Sequence, residues 1–363
     1  MLKYCQNCIL PSTRPNLIIE KDGVCSACKQ KRTQDHVDWG MRKKMFEKLV
    51  YDLKTQNTQK WDCVIPVSGG KDSTWQVIKC LEYGLTPLCV TWKTPGRNDL
   101  GHYNLQNLID LGVDHFDVSI NPHTEKTFTL KAFKRLGATA IPMHMAIFAI
   151  PVQVALNYSI PLILWGENSA TQYGHYSQQT CGFQMTREWL LKYGVTNGTI
   201  AQDWFDDDLN EKNMAIYYWP NDKELKSNGI RGDFLGEYFL WDPIETFKEA
   251  KKVGFKAHDK PKMGYYEFAD VDDDFLIILH HWMKWYKFGF TRLWDNLSLE
   301  IRHHRMRRDD AVQMIFDHGE EKSLKEIDKF CKYVDISTRE FYDTADGFRN
   351  KDIWIYEKGK WKI

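Results

Sequence analysis

The sequence has no excess of charge of either sign, no long apolar run and no internal repeat, and each absence removes a class of function. Lys+Arg and Asp+Glu both total 49, so the formal net charge is zero, whereas chains that live on nucleic acid commonly carry a basic excess. Nothing approaches the roughly 18 consecutive apolar residues that a bilayer span requires. The most apolar segment, 146–155, is short and is interrupted by Pro151 and Gln153. The opening MLKYCQNCIL lacks the apolar core of a secretory leader. No low-complexity tract is present either. A cytoplasmic protein bound neither to membrane nor to nucleic acid is therefore expected. Disulfides are not expected in that compartment, so nine cysteines need another account.

The first four cysteines supply one. Cys5-Gln-Asn-Cys8 and Cys25-Ser-Ala-Cys28 form C-x2-C-x16-C-x2-C, a spacing that fits two knuckles of a tetrahedral zinc ribbon. The stretch between them reads as a short hairpin turning at Asp22-Gly23. Four thiolates leave no open coordination position, so Cys5, Cys8, Cys25 and Cys28 are expected to hold a structural Zn²⁺. Its binding energy, on the order of 10 kcal/mol, is enough to fold about 30 residues that have too little core of their own. Aromatic residues are plentiful at 14%, with 14 Trp. No tight aromatic repeat stands out, so most are read as core.

Residues 35–60 carry Met41, Met45, Leu49 and Leu53 at the spacing of one helix face, a linking helix. Strand and helix patterns then alternate. Strands are expected at 63–67, 87–92, 115–120 and 161–165, and helices at 72–83, 105–111, 123–136 and 142–158. Trp75, Ile78 and Leu81 are read as the inward face of the first of these helices, with Gly84 as its stop. Such alternation implies a parallel sheet with helices on both faces, and ligands at the carboxyl ends of its strands. Beyond residue 200 the alternation is lost. The acidic "DWFDDDLNEKN" reads as loop, and helices follow at 244–253, 272–287, 308–318, 322–333 and 337–346, with a terminal hairpin at Lys358-Gly359. Three regions result: a zinc ribbon at 1–34, an α/β nucleotide domain at 35–200, and a mainly helical region at 201–363.

"PVSGGKDST", residues 66–74, stands where the first strand meets the first sheet helix. Unpaired N–H groups at a helix start attract anions, and Gly69 and Gly70 let backbone close around a phosphate. Ser68, Ser73 and Thr74 offer hydroxyls, Lys71 adds charge, and Asp72 can hold Mg²⁺ on the phosphates. This is not a G-x-x-x-x-G-K-[ST] loop, because no glycine stands at the required place before Gly70.

S-G-G-K-D-S after a buried strand resembles the PP-loop of the ATP pyrophosphatase superfamily, which implies an adenine nucleotide alpha hydrolase-like, Rossmann-like domain. The order of cysteine ribbon, PP-loop, "GEN" after the fourth strand, "KFGFTRLWDN" and "RRDDAV" resembles the N-acetyl sugar amidotransferases of lipopolysaccharide and flagellin-glycan biosynthesis (the WbpG/PseA group), as does "CQNCILPSTRPN…DGVCSAC". The resemblance covers most of the chain, most specifically its N-terminal two-thirds. It implies conversion of an acetamido group on a sugar precursor, such as a nonulosonic acid, into an acetamidino group. The amide oxygen would attack the α-phosphate of ATP, pyrophosphate would leave, and ammonia would displace AMP. Pro66, Val67, Ser68, Gly69, Gly70, Lys71, Asp72, Ser73, Thr74, Thr91, Trp92 and Gly166 are then the expected ATP-binding residues, with Mg²⁺ on Asp72. Lys71, Asp72, Glu167, Asn168 and Tyr173 are the expected catalytic set. Glu167 would take a proton from ammonia or aid a metal, or instead cap a helix start. Tyr173 would orient the acetamido group. Gln172-Tyr173-Gly174-His175 departs from the resemblance, which leads one to expect an acidic residue, Tyr and two glycines there.

No glutaminase nucleophile is visible: Cys181 sits in "QTCGF", which is no nucleophile elbow, and the amino terminus is Met. The resemblance implies a partner glutamine amidotransferase like the glutaminase of histidine biosynthesis (HisH-like) and its barrel synthase (HisF-like). Lys287, Arg292 and the basic run 302–308, Arg305 and Arg308 among it, are offered to a sugar carboxylate or diphosphate, against a solvated helix face. His280, His281, His303 and His304 show no metal-ligand pattern and are read as structural. The rival enzyme is a tRNA sulfur-transfer PP-loop protein, which needs further active-site cysteines. Cys63, Cys80, Cys89, Cys181 and Cys331 contain no C-x2-C. A non-catalytic nucleotide-binding scaffold is the rival from another class.

Overall fold

The computed structural model describes residues 2–56, 58–174, 182–320 and 322–362. His175 and Cys181, both weighed above, lie outside the described residues. After the cysteine segment come α1 (Ser26–Gln34) and α2 (Trp39–Gln56), then β1 (Cys63–Pro66), α3 (Lys71–Glu82), β2 (Pro87–Trp92), α4 (Asp99–Ile109), β3 (Asp114–Val118), α5 (Pro122–Leu136), α6 (Ile141–Asn157), β4 (Leu162–Trp165) and α7 (Ser169–Tyr173). Three short helices, α8 (Arg187–Tyr193), α9 (Glu211–Met214) and α10 (Asp222–Ser227), lead to β5 (Arg231–Phe234). The chain closes with α11 (Pro243–Lys252), α12 (Leu276–Phe288), α13 (Arg292–Arg302), α14 (Arg308–His318), α15 (Leu324–Val334) and α16 (Thr338–Gly347), and a hairpin of β6 (Ile355–Glu357) and β7 (Lys360–Lys362).

The five-stranded sheet runs β3-β2-β1-β4-β5, and every pair in it is parallel. Its strands are apolar throughout the centre because both faces are covered. Alternate side chains point to opposite faces. Val64, Leu88, Val90 and Ile163 join Phe128, Phe133, Trp282 and Phe330 on one side. Cys63, Ile65, Cys89 and Leu164 join Phe46, Trp75, Cys80 and Leu105 on the other. Cys63, Cys80 and Cys89 are thus small core residues, as is Cys331, buried with the C-terminal helices. The chain moves outward one way from β1 to β3 and the other way from β4 to β5, so the strand order reverses between β1 and β4. A crevice opens at their carboxyl ends, the usual ligand position in such sheets.

The sheet does not end before residue 200, since β5 pairs along β4, Ile163 opposite Gly232 and Trp165 opposite Phe234. "RGDF" offers only four residues and little apolar pattern. The face of α2 is also corrected. Phe46 and Val50 are buried, while Met41 and Met45 are 62% and 43% exposed. Packing on Tyr83, Tyr238 and Phe239 selects the aromatic stripe over the methionines. On α3 Trp75 is buried as expected, together with Thr74, Val77 and Cys80, while Ile78 and Leu81 are only half-buried. Helix α4 begins at Asp99, earlier than the apolar spacing suggests, because the Asn98 side chain accepts from the Gly101 N–H. Helix α13 is a further addition. Among the described residues no helix is long and apolar enough to cross a membrane.

Candidate functional site

The loop between β1 and α3 is built for close backbone approach. Gly69 has φ +87°, and a Cβ there would lie 2.7 Å from the Leu105 backbone nitrogen, so glycine alone fits without strain. Gly70 is the N-cap of α3. The Ser73 and Thr74 hydroxyls donate back to the Gly70 carbonyl at 2.9 and 3.0 Å, and the Gly70 N–H donates to Ser68 Oγ at 3.2 Å. This tight turn aims the first N–H groups of α3 at the crevice, a ready anion site.

The crevice holds a cleft of about 370 Å³ lined by Pro66, Val67, Ser68, Asp72, Ser73, Thr91, Trp92 and Glu167 among the anticipated residues. Thr91 is tied to structure: its hydroxyl donates to the Val67 carbonyl at 2.7 Å and meets His115 Nε2 at 2.8 Å. Trp92 donates from Nε1 to Glu125 at 2.7 Å. Three further carboxylates face the cleft, Asp270, Asp272 and Asp273, and the sequence reading missed them. The acidic run "DVDDD" just before an apolar helix was the available signal. Asp273 accepts from the Phe275, Leu276 and Ile277 N–H groups at the start of α12, and it also bonds Thr94. These bonds hold the C-terminal region over the loop.

Burial, and then the Asp72 charge, pushes the Glu167 carboxyl up to about 7. Burial and Asp273 push Asp272 up to about 6, and burial pushes Glu125 up to about 7. Each of these groups holds its proton in the folded chain at a pH where the unfolded chain has lost it. Their contribution to stability is therefore full at and below the ordinary carboxylate range and is lost as pH rises toward 7. Asp242 and Asp295 are held well below the usual range by their cationic partners, so their contribution disappears only in acid. Thermal melting is expected to peak near about pH 5 and to fall by about pH 8, with Mg²⁺ opposing the fall. A midpoint that rises across that window would contradict the cleft electrostatics.

Asp72 is the best anchored of these groups. It accepts from Lys71 Nζ at 2.6 and 2.7 Å, from Trp241 Nε1 at 2.9 Å and from Thr246 Oγ1 at 3.1 Å. Mg²⁺ commonly takes one or two protein carboxylates plus phosphate oxygens, and Asp72 and Glu167 are suited to that task. Lys71 itself is buried and does not line the cleft; its ammonium sits near the Trp241 and Phe268 rings. Gly166 accepts from the Gly236 N–H at its carbonyl, 3.1 Å. Asn168, rather than Glu167, is the cap of α7: its Oδ1 accepts from the Ala170 N–H at 3.0 Å and from Trp189 Nε1 at 2.9 Å. Its amide donates to Glu237 at 3.2 Å. That side chain is a brace for the loop carrying Glu167. Tyr173 lies outside this cleft, with the guanidinium groups of Arg14 and Arg302 over its ring, 4.3 and 5.3 Å from the ring centre.

The four basic residues offered to a sugar are not gathered. Lys287 donates to the Leu136 carbonyl at 2.9 Å. Arg292 is half-buried, the charges of Asp270, Tyr173 and Glu167 bear on it, and its Nε is buried with no partner. Arg305 is taken by Glu300 at 2.7 Å and Asp242 at 2.6 Å, and Arg308 donates to the Cys8 carbonyl at 3.0 Å. The run 302–308 is thus not a plain solvated face, and Arg302, Arg305 and Arg308 line a further cavity of about 760 Å³. His303 and Arg305 hold Asp242, which caps α11, and α11 delivers Thr246 to Asp72.

The four N-terminal sulfurs converge within 4.8 Å of one another. Cys5 and Cys28 Sγ are 4.0 Å apart and Cys8 and Cys25 Sγ 3.7 Å, against about 3.8 Å for a tetrahedron of Zn–S bonds. The Cys8 and Cys25 N–H groups point at Cys5 Sγ, at 3.4 and 3.2 Å, as thiolate ligands require. The expected hairpin is a single bridge, Ile19 to Cys25, turned by Gly23 at φ +75°. These residues fit a structural Zn²⁺. Among the described residues no other group of His, Cys, Asp and Glu converges in this way.

Comparison with known proteins adds two likenesses. Residues 262–363 match the family model described as LPS biosynthesis protein WbpG-like, C-terminal domain. The chain also matches the structure of NMN synthetase from Francisella tularensis, with 15% identity, covering 82% of this chain and 94% of that one, at a TM-score of 0.31. No curated protein matches.

Proposed function

We propose, from the premise that residues 262–363 carry the C-terminal domain of the WbpG-like LPS-biosynthesis family, that this chain is an ATP-dependent amidotransferase that turns an acetamido group of a sugar precursor into an acetamidino group, in the cytoplasm. The observation that carries the reading is the pairing of the glycine turn of β1 with two carboxylates, Asp72 and Glu167, across one crevice. The turn and the start of α3 bind the departing pyrophosphate. Mg²⁺, when bound at Asp72, would offset the charge that develops on it.

The amide oxygen attacks the α-phosphorus, the bond to the β-phosphate oxygen breaks, and pyrophosphate leaves with its electrons. The amide proton goes to solvent as the imidate forms. Ammonia then adds to the imidate carbon, and Glu167 relays a proton from the incoming nitrogen to the sugar nitrogen. The carbon–oxygen bond breaks and AMP takes the electron pair, leaving an amidinium. With a carboxyl near 7, Glu167 is divided between its two forms at neutral pH, the balance that a proton relay needs. Ammonia comes from a partner glutaminase with a barrel subunit, or from free ammonium in vitro.

The test supplies ATP, Mg²⁺, ammonium chloride and a panel of acetamido sugars, reading pyrophosphate and sugar mass together. Pyrophosphate release with a sugar lighter by the difference between oxygen and NH supports the reading. Release only with tRNA and a sulfur donor would replace it by the thiolase. Glu167→Gln is expected to lower amidine formation about a hundredfold or more and to remove the rise in rate as pH passes through about 7. An unchanged pH profile in that variant would take the proton relay away from Glu167.

A further inference from the structure

Two cavities meet at a wall of imidazole rings that the proposed chemistry leaves idle. The first is the ATP cleft. The second, about 430 Å³, opens beside α7 and α12 and is lined by Tyr173, His280, Lys284 and Lys287. His144 on α6 lines the first cavity and His280 on α12 lines the second, and their ring centres are 5.6 Å apart. A second bridge runs beside it. The His281 ring lies 5.2 Å from His280, and its Nε2 is 3.9 Å from Asp270 Oδ1 at the cleft. The partition is therefore one or two rings thick.

The chemistry of this wall is unusual for a core. Burial holds His144, His280 and His281 well below the usual histidine range, so the rings are neutral. His281 Nδ1, Asp270 Oδ2 and Arg292 Nε are buried with no hydrogen-bond partner. Native interiors seldom leave such groups unpaired unless something small visits them. The flanking cations Lys284, Lys287 and Arg292 repel a cation but not a neutral molecule.

We infer that the wall of His144, His280 and His281 is the passage by which ammonia, as the neutral molecule, travels from the second cavity to the reacting carbon in the ATP cleft. This rests on the amidotransferase reading. Donor and acceptor atoms of neutral imidazoles hand ammonia across, while ammonium is refused. A protein that generates ammonia would dock over its rim, where Val195 is 39% exposed.

Two half-reactions separate the passage from the reading beneath it. Sugar-dependent exchange of pyrophosphate into ATP reports adenylylation, which uses no ammonia; amidine formation with ammonium chloride reports the second half. His280→Phe thickens the wall, His280→Asn keeps it polar, and Val195→Trp plugs the rim from outside the core. Exchange is expected to stay within about twofold in all three, while the KM for ammonium rises about tenfold or more in His280→Phe and Val195→Trp and little in His280→Asn. An unchanged ammonium KM in both bulky variants, with exchange intact, would overturn the passage. Absence of exchange in the unsubstituted protein with every acetamido sugar would remove the amidotransferase reading, and the passage with it.

Discussion

Asp72→Asn is expected to lower ATP-dependent pyrophosphate release by about a hundred- to a thousandfold while the chain stays folded. The carboxylate stands at the cleft, and its Oδ1 is fixed by Trp241 Nε1 at 2.9 Å and Thr246 Oγ1 at 3.1 Å. An asparagine Oδ1 can accept both bonds and hold the side chain in place, while its Nδ2 can no longer accept from Lys71 Nζ as Oδ2 does at 2.7 Å. The lost charge matters twice: it would bind Mg²⁺ on the phosphates, and it balances Lys71. The loss should fall on pyrophosphate release and sugar-dependent exchange alike, because both need the first bond to break. Melting should fall, because the buried Lys71 ammonium loses its counter-charge, and the Glu167 carboxyl should ionise more easily once the neighbouring charge is gone. Thr246→Val is the gentler companion. It removes one bond to Asp72 and one to Lys71 and is expected to cost about tenfold through positioning alone. Full activity in Asp72→Asn would mean that the loop holds its ligand by backbone N–H groups only.

The glycine turn and the cysteine spacing were legible in the sequence because each is local. Gly69 must adopt positive φ, and C-x2-C places two thiolates on one metal, whatever the rest of the chain does. The three central strands, β2, β1 and β4, were legible because burial on both faces leaves apolar runs, and the edge strand β3 by its place in the alternation, since it is only partly buried. Strand β5 was not, since "RGDF" is held by β4 and by Arg231 on Asp233 rather than by its own pattern. The aspartates 270, 272 and 273 were hidden for a related reason. They reach the loop of β1 across some two hundred residues of chain, and only tertiary packing places them there. Arg305 and Arg308 misled the reading because a basic run looks alike whether it serves a ligand or the fold. Apart from Glu300, five residues before Arg305, their partners are distant in sequence: Asp242 and the carbonyls of Cys5 and Cys8. Tyr173 was singled out from its loop, but its contact with Arg14 and Arg302 joins the first turn of the chain to its last third.

That contact makes zinc removal the second large expected effect. One Zn²⁺ per chain is expected by elemental analysis, and Cys25→Ser should abolish its retention and unfold the first 34 residues. Structural zinc sites contribute on the order of 10 kcal/mol or more of apparent folding free energy. The ribbon's own apolar cluster is small and is completed by Leu293, Leu297 and Ile301 of α13. The sheet keeps separate cores on its two faces, so the main melting transition should survive while the N-terminal segment becomes sensitive to protease. The damage should nonetheless reach the site. Arg302 is 3% exposed, both its terminal nitrogens lack hydrogen-bond partners, and the charges of Cys8, Cys28 and Cys25 bear on it. A zinc tetrathiolate would carry two negative charges, which would make Arg302 its counter-cation as well as the cation over the Tyr173 ring. Arg302→Met should therefore keep its zinc but yield it to a chelator faster, by about tenfold, and Tyr173 should become accessible to nitration. If the N-terminal segment stays protease-resistant after chelation, the four thiols pack as a core without metal, and the link from ribbon to Tyr173 is packing alone.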